Sequence, residues 1–323
     1  MTTDRQFSDG VRAAFAGRRI AIPAPSYQYL APSGEIDHGR RERALDVLEA
    51  LGAVPVLMDG ALERDGRFAG PDERRAEDLM TAAELPGVDL VMPIRGGYGM
   101  TRLLPLLDWE RLAEARTPFV GYSDFTAFNA ALYARTGRAS WQGPMLGSFE
   151  EPDPFMLERF TAVFGRALEP LAFTEPEWAS GWKREAGEAE GVLWGGNLAL
   201  LASLAGTPWM PDVRGGILYL EDVGEAAYRV ERMLLTLLDA GILGRQRAVL
   251  LGDFSGATVV ERSPGEETLP RVFGYLRRRL PAGTLMALGL PFGHVARKAA
   301  LPFGREGRLL LEAEGARLSW SAR

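Results

Sequence analysis

Three residues of this chain are of the types that acyl transfer needs, and each follows an apolar run. Ser123 lies in Pro118-Phe119-Val120-Gly121-Tyr122-Ser123-Asp124-Phe125-Thr126, Glu221 near the end of Gly216-Ile217-Leu218-Tyr219-Leu220-Glu221-Asp222, and His294 directly after Pro291-Phe292-Gly293. Strand, glycine, serine and amphipathic helix in succession describe a serine at the tip of a strand-to-helix turn. Such a turn exposes the hydroxyl and aims the first N–H groups of the helix at whatever is bound there. Each residue also has a plainer reading. A serine in that place can simply cap a helix, a carboxylate can end a strand at the surface, and a lone histidine in a loop can be structural. Taken together, in the chain order Ser, Glu, His, they fit a nucleophile, an orienting acid and a general base.

Scarcity narrows the choice. The chain has two histidines, His38 and His294, and no cysteine. A three-histidine metal site, thiol nucleophiles, thiolate metal sites and disulfides are therefore excluded. His38, in the polar loop Asp37-His38-Gly39-Arg40, is the competing base. The loop Arg95-Gly96-Gly97-Tyr98-Gly99 is open to three readings: a tight turn, an approach of backbone N–H groups to an anion, or a second oxyanion donor. Its spacing is not that of a dinucleotide fingerprint and no P-loop lysine follows.

The elements that must position these groups follow from the apolar pattern. Arg19 to Ser26 reads as a buried strand, Arg40 to Leu51 as a helix stopped by Gly52, and Val54 to Leu57 as a second strand, which implies a parallel pair. A helix opened by Pro71 and Asp72 leads to the apolar run Val88 to Ile94, a strand buried on both faces. In a doubly wound sheet, ligands bind at the carboxyl ends of strands, so the glycine loop and the Ser123 turn should share one edge. A helix from Phe125 to Thr136 and a short strand and turn at Trp141 to Met145 follow. The second half carries Gly191 to Asn197, a short helix through Leu204, and strands at Gly216 to Asp222 and at Ala248 to Phe254. It also supplies a strongly amphipathic helix with Val230, Met233, Leu234, Leu237 and Leu238 on one face, and alternating strands from Leu309 to Trp320. Between the halves, residues 166–190 are rich in Pro, Gly, Trp and charge without a period, as expected of a linker or a loop covering a site. The expected division is 1–165, 166–190 and 191–323.

With 323 residues, 46% hydrophobic and 25% charged, the chain is of ordinary globular composition and long enough for two domains. A net charge of −6 argues against nucleic acid or an anionic membrane as partner and leaves a small-molecule or peptide ligand. No run approaches the length of a membrane span and the first twenty residues lack a signal-peptide core, so a cytoplasmic protein is expected.

In these residues the chain resembles the LD-carboxypeptidase family of serine peptidases, which includes muramoyltetrapeptide carboxypeptidases and microcin C self-immunity peptidases. The matching segments are Ala24-Pro25-Ser26, the loop from Ile94 to Met100 with the TRLLPLLD that follows, and Gly121 to Asp124. They continue with Gln142 to Met145, Gly195 to Leu198, Leu218 to Leu234 and Gly289 to His294. The resemblance implies a Rossmann-like or flavodoxin-like parallel-sheet N-terminal domain joined to a smaller β-rich α/β C-terminal domain, with no cofactor and no metal. It also implies a homodimer. Ser123 is then the nucleophile, His294 the base and Glu221 its orienting acid, with an oxyanion hole formed by the backbone amides of Gly97 and Asp124.

The reaction implied is hydrolysis of the L,D-amide to the terminal D-alanine of murein tetrapeptides. A microcin-type amidase acting on peptidyl or aminoacyl nucleotides is the alternative, and a catalytically silent peptide-binding protein a third reading. Arg95, Arg102 and Arg232 are candidates for the substrate carboxylate, since arginine suits that bidentate task. Tyr98, Gln142, Asn197 and Trp182 complete the candidate substrate contacts. Gln142 stands where many muropeptide-cleaving members have His, which bears on the substrate rather than on the three reacting residues. Trp178 and Trp182 could stack on a nucleobase or simply pack the linker.

Overall fold

The computed structural model describes residues 7–183 and 185–321. Strand β1 (Arg19–Ile22) lies between β2 (Val54–Leu57) and β3 (Leu90–Val91), parallel to both, with Ile20 opposite Pro55 and Leu90. The apolar run 88–94 predicts a longer third strand than β3. Pro93 has no N–H to give to a ladder, so regular pairing stops early, yet the backbone stays docked through Met92 N–H to Ala21 O and Ile94 N–H to Pro23 O, both 2.9 Å. On the far side of β3, Phe119 pairs in parallel with Val91, and Val120 with Trp141 of β4 (Ser140–Gln142). The lateral order is thus β2, β1, β3, the segment 118–120, β4. Helices His38–Ala50, Asp72–Glu84 and Thr126–Thr136 connect this layer. His38 is the first residue of its helix rather than part of a loop, because the Asp37 side chain caps it by accepting from Arg40 N–H.

A seven-stranded sheet carries the second half. Its strands are β5 (Leu171–Phe173), β6 (Gly187–Asn197), β7 (Ile217–Val223), β8 (Ala248–Ser255), β9 (Leu285–Leu288), β11 (Arg305–Glu312) and β12 (Gly315–Trp320), in the order β5-β12-β11-β6-β7-β8-β9. Strands β6 to β9 are parallel, while β5, β12 and β11 are antiparallel to their neighbours. The segment 166–190 therefore contains more than a connection. Strand β5 pairs with residues 316–318, and a strand held by so distant a partner needs no period of its own. Strand β10 (Leu301–Phe303) leaves this sheet and pairs antiparallel with β4 of the first layer.

The two halves also share apolar core. Phe119, Phe128 and Leu132 from the first half lie in one buried cluster with Leu198, Leu201, Leu220 and Leu234 from the second. In helix Ala227–Asp239, Ala227, Val230, Leu234 and Leu237 are the buried positions, the three larger ones each stabilising by about 1.5–3 kcal/mol. This common core fixes how the carboxyl end of 118–120 faces the end of β7.

Candidate active site

Ser123 opens a short 3-10 turn, Ser123–Phe125, that runs into helix Thr126–Thr136. Its φ of 59° is the one positive value among the described non-glycine residues. Held there, an L-residue costs on the order of 1–3 kcal/mol, so the surrounding bonds must over-determine it. Asn129 Nδ2 donates to Gly121 O at 2.9 Å and to Trp141 O at 3.3 Å, fixing the chain before the turn. After the turn, the buried Asp124 carboxylate accepts from Ser26 Oγ at 2.6 Å and from Met100 N–H at 2.8 Å. Burial pushes this carboxyl upward in pKa, opposed by those two bonds and by Arg75.

The glycine loop lies directly against the serine. A Cβ on Gly96 would sit 3.0 Å from Ser123 Oγ and 3.3 Å from Asp124 N, and a Cβ on Gly97, at φ 122°, would meet the Tyr27 ring at 2.4 Å. Backbone from the loop and from the helix start therefore approaches the same hydroxyl.

The three residues come together. His294 Nε2 is 3.0 Å from Ser123 Oγ, and His294 Nδ1 is 2.7 Å from Glu221 Oε2. Glu221 is wholly buried, while the His294 side chain keeps 20% exposure toward the cleft. The other Glu221 oxygen accepts from Asn197 Nδ2 at 3.2 Å, and the same amide donates to Asp222 Oδ1 at 3.3 Å. Asp222 also accepts from Ala199 N–H and Val223 N–H, and burial pushes its pKa up to about 6. With one oxygen on Asn197 and the other on His294, Glu221 can hold the imidazole with Nδ1–H toward it. Nε2 is then left to accept the serine proton.

A cleft of about 810 Å³ opens over Ser123 and His294, lined also by Arg95, Gly96, Gly97, Tyr122 and Lys298 and by Arg40, Arg43 and Glu150. Arg95 is in place, half-buried, with its guanidinium 5.4 Å from the Tyr29 ring centre and Nη1 3.5 Å from Gln28 O. Its pKa is lowered, mainly by burial.

The other expected contacts lie elsewhere. Arg102 pairs with Asp72 at 2.7 Å, Arg232 is exposed on helix Ala227–Asp239, and Tyr98 is exposed beside Tyr27 and Phe68. Gln142 is buried and donates to Gly195 O at 2.9 Å and Thr126 Oγ1 at 3.1 Å, so it ties the two halves rather than facing the cleft. Trp178 and Trp182 both pack against the shared core, and Trp178 also lines a second cavity of about 390 Å³. Asn197 supports Glu221 from beneath. His38 sits 2.7 Å from Arg41 Nη2, away from the Ser123 hydroxyl that His294 occupies.

Sequence reasoning passed over Lys298 and the Asp124 side chain. Lys298 had a readable signal: it is one of the chain's two lysines, with Lys183, and it directly precedes the apolar stretch Ala299-Ala300-Leu301, four residues after His294. Asp124 had none, because its partners at positions 26 and 100 are distant in sequence. Among the described residues no group of three or more His, Asp or Glu is placed to hold a metal ion. No helix among them is long and apolar enough to cross a membrane.

Comparison with known proteins places this chain in a family. The family model for the LD-carboxypeptidase N-terminal domain matches residues 20–143, and that for the LD-carboxypeptidase C-terminal domain matches residues 190–309. A solved structure of a muramoyltetrapeptide carboxypeptidase from Oxalobacter formigenes superposes with a TM-score of 0.83 at 38% identity, covering 94% of this chain and 98% of that one. The murein tetrapeptide carboxypeptidase of Pseudomonas aeruginosa is 34% identical over 90% of this chain and 94% of its own length. The microcin C7 self-immunity protein MccF of Escherichia coli is 28% identical over 69% of this chain and 72% of its own.

Proposed function

The chain belongs to the LD-carboxypeptidase family of peptide hydrolases, and from that premise we propose that it is a serine carboxypeptidase that cleaves the L,D-amide to the terminal D-alanine of murein tetrapeptides. The observation that carries the mechanism is the hydrogen-bonded line Ser123, His294, Glu221. Ser123 Oγ attacks the scissile carbonyl while His294 Nε2 takes its proton, and Glu221 stabilises the imidazolium that forms. The backbone amides of Gly97 and Asp124 receive the developing oxyanion. His294 then returns the proton to the departing D-alanine amine, and water releases the acyl group by the reverse sequence. The reading extends to a cytoplasmic homodimer acting in cell-wall recycling, as the resemblance implies.

The test is D-alanine release from a tetrapeptide. Ser123→Ala is expected to lower the rate at least about a thousandfold while leaving the fold intact. A variant with near-native release would overturn the assignment. The similarity to MccF supports a second reading, an amidase for aminoacyl or peptidyl nucleotides. Turnover of an aminoacyl sulfamoyl adenosine by a protein that leaves tetrapeptide untouched would select it.

A further inference from the structure

The cleft holds more positive charge than it needs for its own ion pairs. Arg40 and Arg43 are matched by Glu150 at 2.5 and 3.0 Å. Lys298 is not matched in this way. Its side chain is buried, yet no carboxylate of the described residues lies within ion-pair distance of Nζ. The ammonium donates to Tyr122 Oη at 3.2 Å and rests 4.6 Å from the centre of the Tyr122 ring. An ammonium has three donors, so this neutral partner leaves capacity for an anion. A buried, unpaired cation is costly, and a site that keeps one gains when a counter-ion arrives.

Its placement says where that anion would sit. Tyr122 immediately precedes Ser123, and the same ring lies 4.9 Å from the His294 ring. Lys298 also belongs to the loop that carries His294, closed by Ala299 N–H to Pro291 O at 2.7 Å. Base and ammonium are therefore held as one unit on one side of the serine. Of the arginines in this region, Arg102 is engaged by Asp72, and Arg95 stacks on Tyr29 at the glycine-loop side.

We propose that Lys298 is a specificity-determining residue whose ammonium receives the free carboxylate of the leaving amino acid, so that the site prefers a terminal carboxylate to a neutral carboxamide. The proposal rests on the carboxypeptidase reading above. Tyr122 from the serine turn contacts Nζ, Glu221 from β7 acts on it through its charge, and His294 on the same loop and Arg95 line the same cleft. Burial pulls the lysine down to about 8, against the weaker upward pull of Glu221. The ammonium is thus present below about pH 8 and lost above it. KM for a carboxylate substrate should rise through that range.

The experiment compares wild type, Lys298→Met and Lys298→Arg on one peptide ending in D-alanine and on its D-alaninamide counterpart. Wild type is expected to prefer the acid. Lys298→Met should raise KM for the acid about 10- to 100-fold with kcat changed only a few-fold, and leave the amide as it was. Lys298→Arg, which keeps the charge, should restore the preference and remove the rise in KM above pH 8. An unchanged preference in Lys298→Met, an equal loss on both peptides, or a preference lost instead in Arg95→Met would overturn the assignment.

Labelling of Ser123 by a fluorophosphonate separates this from the parent reading. If neither peptide is cleaved, the carboxypeptidase reading fails. The role of Lys298 is then judged by whether D-alanine, and not D-alaninamide, slows labelling in wild type. Protection that disappears in Lys298→Met supports the role, and protection that persists there, or is absent in wild type, overturns it.

Discussion

Asn197 holds together two carboxylates that would otherwise repel. Its single amide nitrogen donates to Glu221 and to Asp222, both buried, and its oxygen caps helix Leu198–Leu204 through Leu200 N–H. Removing it leaves Glu221 Oε1 without its donor, while Asp222 keeps those from Ala199 and Val223, and frees Glu221 to turn away from His294. Asn197→Ala is therefore expected to destabilise the fold by about 1–3 kcal/mol and to lower kcat about tenfold or more with little change in KM. Melting temperature and steady-state D-alanine release check this. A raised KM at constant kcat would instead mark Asn197 as a substrate contact, as its sequence position suggested.

Between elements, the decisive contact is the glycine loop against the serine turn. Asp124 clamps the two by accepting from Met100 N–H at the loop's end and from Ser26 after β1. Gly96 lets the backbone lie close enough to share the hydroxyl's surroundings. In Gly96→Ala the new methyl would stand 3.0 Å from Ser123 Oγ, where it must displace either the hydroxyl or the bound carbonyl. Activity should fall about a hundredfold. Stability should fall by about 1–3 kcal/mol, from crowding against Ser123 Cβ at 3.0 Å and Asp124 N at 3.3 Å rather than from backbone strain, since position 96 does not need a positive φ. Calorimetry beside the activity assay separates the two effects, and a fully active variant would remove the loop from the reacting centre.

For the whole molecule, the nucleophile lies in one half of the chain and its base and acid in the other, so catalysis depends on how rigidly the halves are joined. The join is a shared apolar core, the β4–β10 pairing, and the Gln142 bond to Gly195 O. Heat should therefore unfold residues on both sides of the 166–190 segment in one transition, with calorimetric and van't Hoff enthalpies equal. Two resolved transitions would show that the halves hold their own cores.

Much of this arrangement was written locally. The apolar runs ending at Val120 and Asp222, the helix stop at Gly52 and the serine turn are short-range patterns, and the shortage of histidine reduced the choice of base to two. Those features are legible because each depends on neighbours within a few residues. The substrate contacts were not. Gln142, Arg102 and Trp182 have the right side chains for a cleft, but which way each faces depends on what packs against it. Gly195, Asp72 and the shared core took them up. The strand at 171–173 escaped notice for the same reason, since its partner is at 316–318. The sequence by itself determined the chemical inventory and the elements that present it, because residue type and period are local properties. Tertiary structure alone decided that Asn197 holds Glu221 and that the charge of Lys298 was left facing the cleft. Burial and pairing between distant segments, rather than any local pattern, set those relations.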